Sequence, residues 1–122
     1  MQFAYKQLDV WQKAVAFAVR VINTVERVFA ERTHFRLMEQ IEASSTSIAM
    51  NIAEGKGRLS KKEFRQYLYI SRGSLYETMT LLEIFHRKGW IDANELSQLE
   101  QDGLEIAAML KGLINAISKD GS

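Results

Sequence analysis

Residues 59–89 read LSKKEFRQYLYISRGSLYETMTLLEIFHRKG. Ser60 followed three residues later by Glu63 is a capping box, in which the hydroxyl takes up an unpaired amide of the first helical turn and the carboxylate reaches back. It predicts a helix start at Ser60, with Leu59 placed to staple onto Phe64. From there Phe64, Leu68, Ser71, Leu75, Thr78, Leu82 and Phe85 recur at alternating spacings of four and three. That rhythm marks one side of a helix facing partner helices. Gly89 then ends the pattern, since glycine tolerates the left-handed conformation that closes a helix. A helix of this length, roughly 40 Å at the α-helical rise, needs neighbours equally long to cover its seam.

Both flanks supply them. Asp92 and Glu95 repeat the capping box, Ile91 and Leu96 repeat the staple, and Leu96, Leu99, Gly103, Ile106, Leu110, Leu113 and Ile117 form the seam of a fourth helix. Upstream, a helix from Asp9 to Phe29 carries Leu8, Trp11, Val15, Ala18, Ile22, Val25 and Phe29 at the same alternating spacings. Val10, Ala14, Phe17, Val21 and Val28 widen its stripe, so it needs two neighbours or another subunit to cover it. A second helix, from Thr33 to Glu54, repeats Leu37, Ile41, Ser44, Ile48 and Asn51 around a small, hydroxylic middle, Ala43-Ser44-Ser45-Thr46-Ser47. Small side chains of this kind let helix axes approach closely. The short connections make sequential helices antiparallel neighbours. The expectation is one all-α domain over residues 1–122, an antiparallel up-down-up-down four-helix bundle.

Composition agrees and narrows the chemistry. The 122 residues include no proline and no cysteine. The first absence favours uninterrupted helices, and the second removes disulfides, thiolate nucleophiles and cysteine-ligated zinc. The N-terminus has no secretory pattern, and the most apolar stretch, Ala14 to Ile22, is broken by Arg20 and too short to span a membrane. A cytoplasmic location is expected.

No catalytic constellation is visible, and no cofactor is expected. The serine run lacks the Gly-x-Ser-x-Gly elbow of a nucleophile and any paired His or Asp. Glu31 to His34 and Glu83 to His86 both have the Glu-x-x-His spacing of di-iron bundles. The first pair falls in a helix connection, however, and Glu83 lies outside the seam carried by Leu82 and Phe85, so no metal site is predicted. Gly55-Lys56-Gly57-Arg58 follows a helix rather than a strand, unlike a Walker loop. Gly55 is expected to terminate the second helix in the left-handed conformation, with Gly57 as the turn residue.

Charge distribution points further. Between Glu54 and Arg65, five cations (Lys56, Arg58, Lys61, Lys62, Arg65) oppose two acids (Glu54, Glu63), a local net of +3. From Asp92 onward, six acids (Asp92, Glu95, Glu100, Asp102, Glu105, Asp120) oppose two cations (Lys111, Lys119), a net of −4. The basic end suits phosphates, with Lys56, Arg58, Lys61, Lys62 and Arg65 as the nucleic-acid-binding set. It equally suits acids such as Glu100 or Asp102 on the fourth helix of a neighbouring copy. Tyr69 and Tyr76, a heptad apart and flanking Arg72, lie off the third helix's seam and suggest a subunit interface.

Gln40-Ile41, Ser47-Ile48, Asn51-Ile52-Ala53-Glu54-Gly55, Gly57-Arg58, Glu63-Phe64, Tyr67-Leu68 and Gly73-Ser74-Leu75-Tyr76-Glu77 resemble the signature of bacterial four-helix-bundle proteins first found encoded in intervening sequences of 23S rRNA genes. Leu8 to Ala14 resembles the family's opening. The resemblance implies a small non-enzymatic protein, often a ring-shaped homopentamer. Its relatives include the accessory protein of diversity-generating retroelements, which binds nucleic acid and a reverse transcriptase. Where the family commonly has two arginines after Gln-Ile, this chain has Glu42 and Ala43, which lowers its phosphate-binding capacity. Ala49 replaces a common proline and should straighten the second helix. Asn51 and Glu54 are expected to be inward polar groups, Glu54 pairing with a cation such as Arg58 to order the loop. The functional expectation is a non-catalytic homo-oligomeric adaptor contacting RNA, DNA or a nucleic-acid enzyme through its basic end. The alternative is a protein-binding or self-assembling scaffold.

Overall fold

The computed structural model describes residues 1–119. A short 3-10 turn, Ala4–Gln7, precedes α1 (Asp9–Val28), α2 (Phe35–Lys56), α3 (Lys61–Arg87) and α4 (Ala93–Lys119). The four-helix expectation holds. The helix ends differ modestly: α1 stops at Val28, with Phe29 as its cap, and α2 starts and ends two residues later than the sequence pattern suggested. Asp120, part of the acidic tally, lies outside the described residues.

The antiparallel order can be followed along two helix pairs. On α2 and α3, Ser44 meets Thr78 at 2.8 Å, Ser47 meets Ser74 at 2.9 Å, and the Ser71 hydroxyl donates to the Ile48 carbonyl at 2.8 Å. Partner numbers fall on one helix as they rise on the other. On α1 and α4, Lys13 pairs with Glu105, Arg20 with Asp102 and Arg27 with Glu95, again in opposite directions.

The core lies where the seams meet. Phe17, Val21, Ile41, Ile48, Ile52, Leu75, Leu82, Phe85, Ile106 and Leu110 are all but inaccessible. The wide stripe of α1 is covered from two sides, by α2 and α4, which satisfies most of its apolar surface within one chain. Ser44, Ser71 and Thr78 are buried between α2 and α3, and every buried side-chain polar atom among the described residues has a partner. Such hydroxyls cost little when paired and would cost considerably more if left unpaired, so they favour this register of α2 against α3 over a slipped one. α2 runs unbroken through Ala49, where the family's proline is absent.

Both capping hydroxyl or carboxylate groups are in place. Ser60 accepts from the Glu63 amide at 3.1 Å, and Asp92 accepts from the Glu95 amide at 2.8 Å. The first staple is not made: Leu59 is fully exposed, because Phe64 lies against Gly55 and Lys56 instead. At the far end, Gly89 has φ +78° and closes α3 as expected. There Phe29 packs edge to face against Phe85 and Trp90, with Phe29–Phe85 centroids 5.4 Å apart, and the three rings plug the bundle.

Candidate nucleic-acid interface

The α2–α3 turn gathers the predicted basic residues at one end of the bundle. Lys56 is the last residue of α2, Arg58 lies in the turn, and Lys61, Lys62 and Arg65 occupy the first turns of α3. Lys56, Arg58, Lys61 and Lys62 are exposed, and Arg65 is half-buried. The turn is closed by backbone bonds from Gly57 to the Ala53 carbonyl (3.3 Å) and from Arg58 to the Gly55 carbonyl (3.1 Å). The Arg58 guanidinium stacks 4.7 Å above the Tyr67 ring and donates to its hydroxyl, while the Lys56 ammonium lies 5.9 Å from the Phe64 ring. Lys61 and Arg65 also have partners within the chain. The charged ends of Arg58 and Lys56 are thus held over aromatic rings of α3 while their residues stay exposed. Lys56, Arg58 and Lys61 line a groove of about 350 Å³ together with Leu8, Leu59, Phe64 and Ile117.

Four motif residues take roles that partly differ from those expected. Asn51 is half-buried and its amide donates to the Ser47 carbonyl and hydroxyl, both at 2.8 Å, which ties it to the polar seam. Glu54 is exposed rather than inward, and Arg58 turns to Tyr67 instead of pairing with it. Gly55 does not terminate α2: the helix continues through it, and its φ is not positive. A Cβ there would fall 2.7 Å from the Tyr67 Cβ and 2.9 Å from the Phe64 ring, so the glycine is required by the closest approach of α3. Gly57, with φ −81°, caps the helix in right-handed geometry.

The acidic half of the charge pattern is engaged elsewhere. Lys13, Arg20 and Arg27 are spaced by seven along α1 and meet Glu105, Asp102 and Glu95 of α4. Gln98 and Thr24 join the same ladder. The Glu105 carboxylate, accepting a hydrogen bond from the Lys13 ammonium, holds that lysine's pKa above its ordinary value. Sequence reasoning missed this ladder, although the heptad spacing of the three α1 cations was its signal. Asp102, named as a possible partner for a neighbouring copy's basic end, is occupied within its own chain.

Two other surfaces stand out. An apolar groove of about 270 Å³ runs between α3 and α4, lined by Tyr76, Met79, Glu100 and Leu104, with Tyr76 and Leu104 more than half exposed. Tyr69 lies on the outer side of α3 under the Arg72 guanidinium, 4.9 Å from the ring centre. Three of the Glu-x-x-His residues are in local contacts: Glu83 pairs with Arg87, His86 bonds the Ile91 carbonyl at 3.0 Å, and His34 lies 5.0 Å from the Trp90 ring. Among the described residues no three His, Asp or Glu side chains converge as metal ligands, and no helix is long and apolar enough to cross a membrane.

These features define a four-helix bundle with one positively charged end and no assembled catalytic group among those described. The chain belongs to the 23S rRNA-intervening sequence protein family, whose model matches residues 6–112. Among solved structures it is similar to a protein of unknown function from the S23 ribosomal protein family of Bacteroides thetaiotaomicron. The two are 31% identical over 86% of this chain and 97% of that one, with a TM-score of 0.81. No curated protein matches the chain.

Proposed function

We propose that this chain is a non-catalytic, cytoplasmic adaptor that assembles as a homo-oligomer and contacts RNA, DNA or a nucleic-acid enzyme through Lys56, Arg58, Lys61, Lys62 and Arg65. The observation that carries this reading is the clustering of five cations at one end of the bundle, four of them exposed and one half-buried. Three acids of α4 are neutralised by α1, whereas the cations of the α2–α3 turn are exposed or half-buried around one end. An external polyanion is the partner that such a surface attracts most strongly. Copies of it on one assembly multiply weak phosphate contacts by raising the effective concentration of the next contact. Self-association is supported by the apolar α3–α4 groove and by Tyr69, Tyr76 and Leu104 on the flank of the bundle. That same groove favours the second reading, a protein-binding scaffold whose partner sits on the flank.

Charge reversal separates the two. The double variant Lys61→Glu, Lys62→Glu is expected to lose binding to RNA and DNA while light scattering still reports the wild-type assembly. Loss of assembly with those changes would instead place the basic turn at a contact between copies, and the scaffold reading would stand.

A further inference from the structure

Leu59 is an apolar side chain that contributes nothing to the buried core. It sits in the tight turn between α2 and α3 and is fully exposed. The turn does not leave it free to fold back. Gly57 and Arg58 are bonded to carbonyls of α2, and Ser60 is fixed as the cap of α3. Tyr76 and Leu104 are also exposed, along the α3–α4 groove, and Leu59 itself lines, with Lys56, Arg58 and Lys61, the groove at the basic end. Leu59 stands at the end of the bundle, with Arg58 before it and Lys61 and Lys62 just after it.

An apolar tip surrounded by cations matches a partner whose outer surface is anionic and whose interior is apolar and reachable between the charges. Double-stranded DNA has that construction, with phosphates outside and stacked bases within. Proteins that enter its minor groove use a leucine or similar side chain as a wedge, opening one base step and bending the duplex while flanking cations hold the backbone. A lipid surface is less well matched, because a lone leucine adds little to insertion and stable anchoring takes two strong signals. We infer that Leu59 is a DNA-wedging residue: it enters a base step from the minor groove while Arg58, Lys61 and Lys62 hold the phosphates on either side. The inference rests on the proposed nucleic-acid contact at the basic end and specifies its form.

The test uses the full chain and end-labelled DNA duplexes of about 25 base pairs, one with a central TA step and one an A-tract, since TA steps open more easily than A-tracts. Energy transfer between the labels should report bending of the TA duplex, with tighter binding to it than to the A-tract. Leu59→Ala, which removes no buried contact, should keep the melting temperature and salt dependence of wild type. It should lose the bend and roughly tenfold in affinity for the TA duplex. Leu59→Phe should retain the bend. Salt-dependent binding without bending, or bending unchanged in Leu59→Ala, overturns the wedge and leaves the adaptor reading intact. Binding confined to RNA or single strands also overturns it. Leucine-dependent binding to vesicles of anionic phospholipid, with no bent duplex, would assign the tip to lipid instead. Absence of any nucleic-acid binding removes the wedge together with the direct nucleic-acid contact of the adaptor reading.

Discussion

At the scale of single residues, Gly55 shows how a sequence motif can be read correctly as important and wrongly as to why. A glycine near a helix end suggests a left-handed terminator, and the neighbouring Gly57 and Arg58 reinforce that suggestion. What demands glycine is instead lateral: α3 crosses so closely that Tyr67 and Phe64 occupy the space of a side chain. Nothing in a linear pattern reports the distance between two helices, so this reason was out of reach. Gly55→Ala should destabilise the protein by about 1–3 kcal/mol, the range for forcing an extra carbon into a packed site. Urea unfolding measures it, and a neutral or stabilising result would mean that α2 and α3 can separate at no cost. Leu59 teaches the converse lesson. The staple geometry was present in the sequence, but Phe64 had a better use beside Gly55, and the leucine was left outside.

At the scale of elements, the α2–α3 and α1–α4 contacts are built from different materials. The first is close and hydroxyl-lined, with Ser44, Ser71 and Thr78 buried and paired. The second is bridged at its rim by ion pairs at heptad intervals, with side chains between about a quarter and a half exposed. Exposed pairs contribute little one by one, so a double-mutant cycle on Arg20→Ala and Asp102→Ala should give a coupling of about 0.2–1 kcal/mol that shrinks as salt is added. A coupling unaffected by salt would contradict the screened, surface nature of the ladder. Because Lys13 is held above its ordinary value, its stabilising contribution is complete below that ordinary value and disappears as pH rises through the raised one. Helix number, order and the two capping starts were legible because heptad spacing and Ser60-x-x-Glu63 are local signals. The ladder was legible only in half, since Lys13, Arg20 and Arg27 mark a face but do not say which helix lies opposite.

For the whole molecule, burial and charge lead to separate expectations. The α3–α4 groove and the flank tyrosines give the chain apolar surface that a second copy can cover, and light scattering should therefore report a multiple of 14.0 kDa. A monomer at micromolar concentration would remove the assembly and the avidity argued from it. The basic residues were identifiable from composition along the chain, and the fold brings them to one end as expected. That Glu95, Asp102 and Glu105 of α4 would pair with α1 emerged only with the packing, and the proposed function assigns the basic end to an external polyanion. The most direct test of that claim is a titration of RNA and DNA with the purified protein across a series of salt concentrations. Binding should be firm at about 50 mM salt and weaken linearly on a log–log scale, with a slope that becomes shallower when Lys56, Arg58 or Lys62 is replaced by alanine. No binding to either nucleic acid at that salt, or binding with no salt dependence, would contradict it.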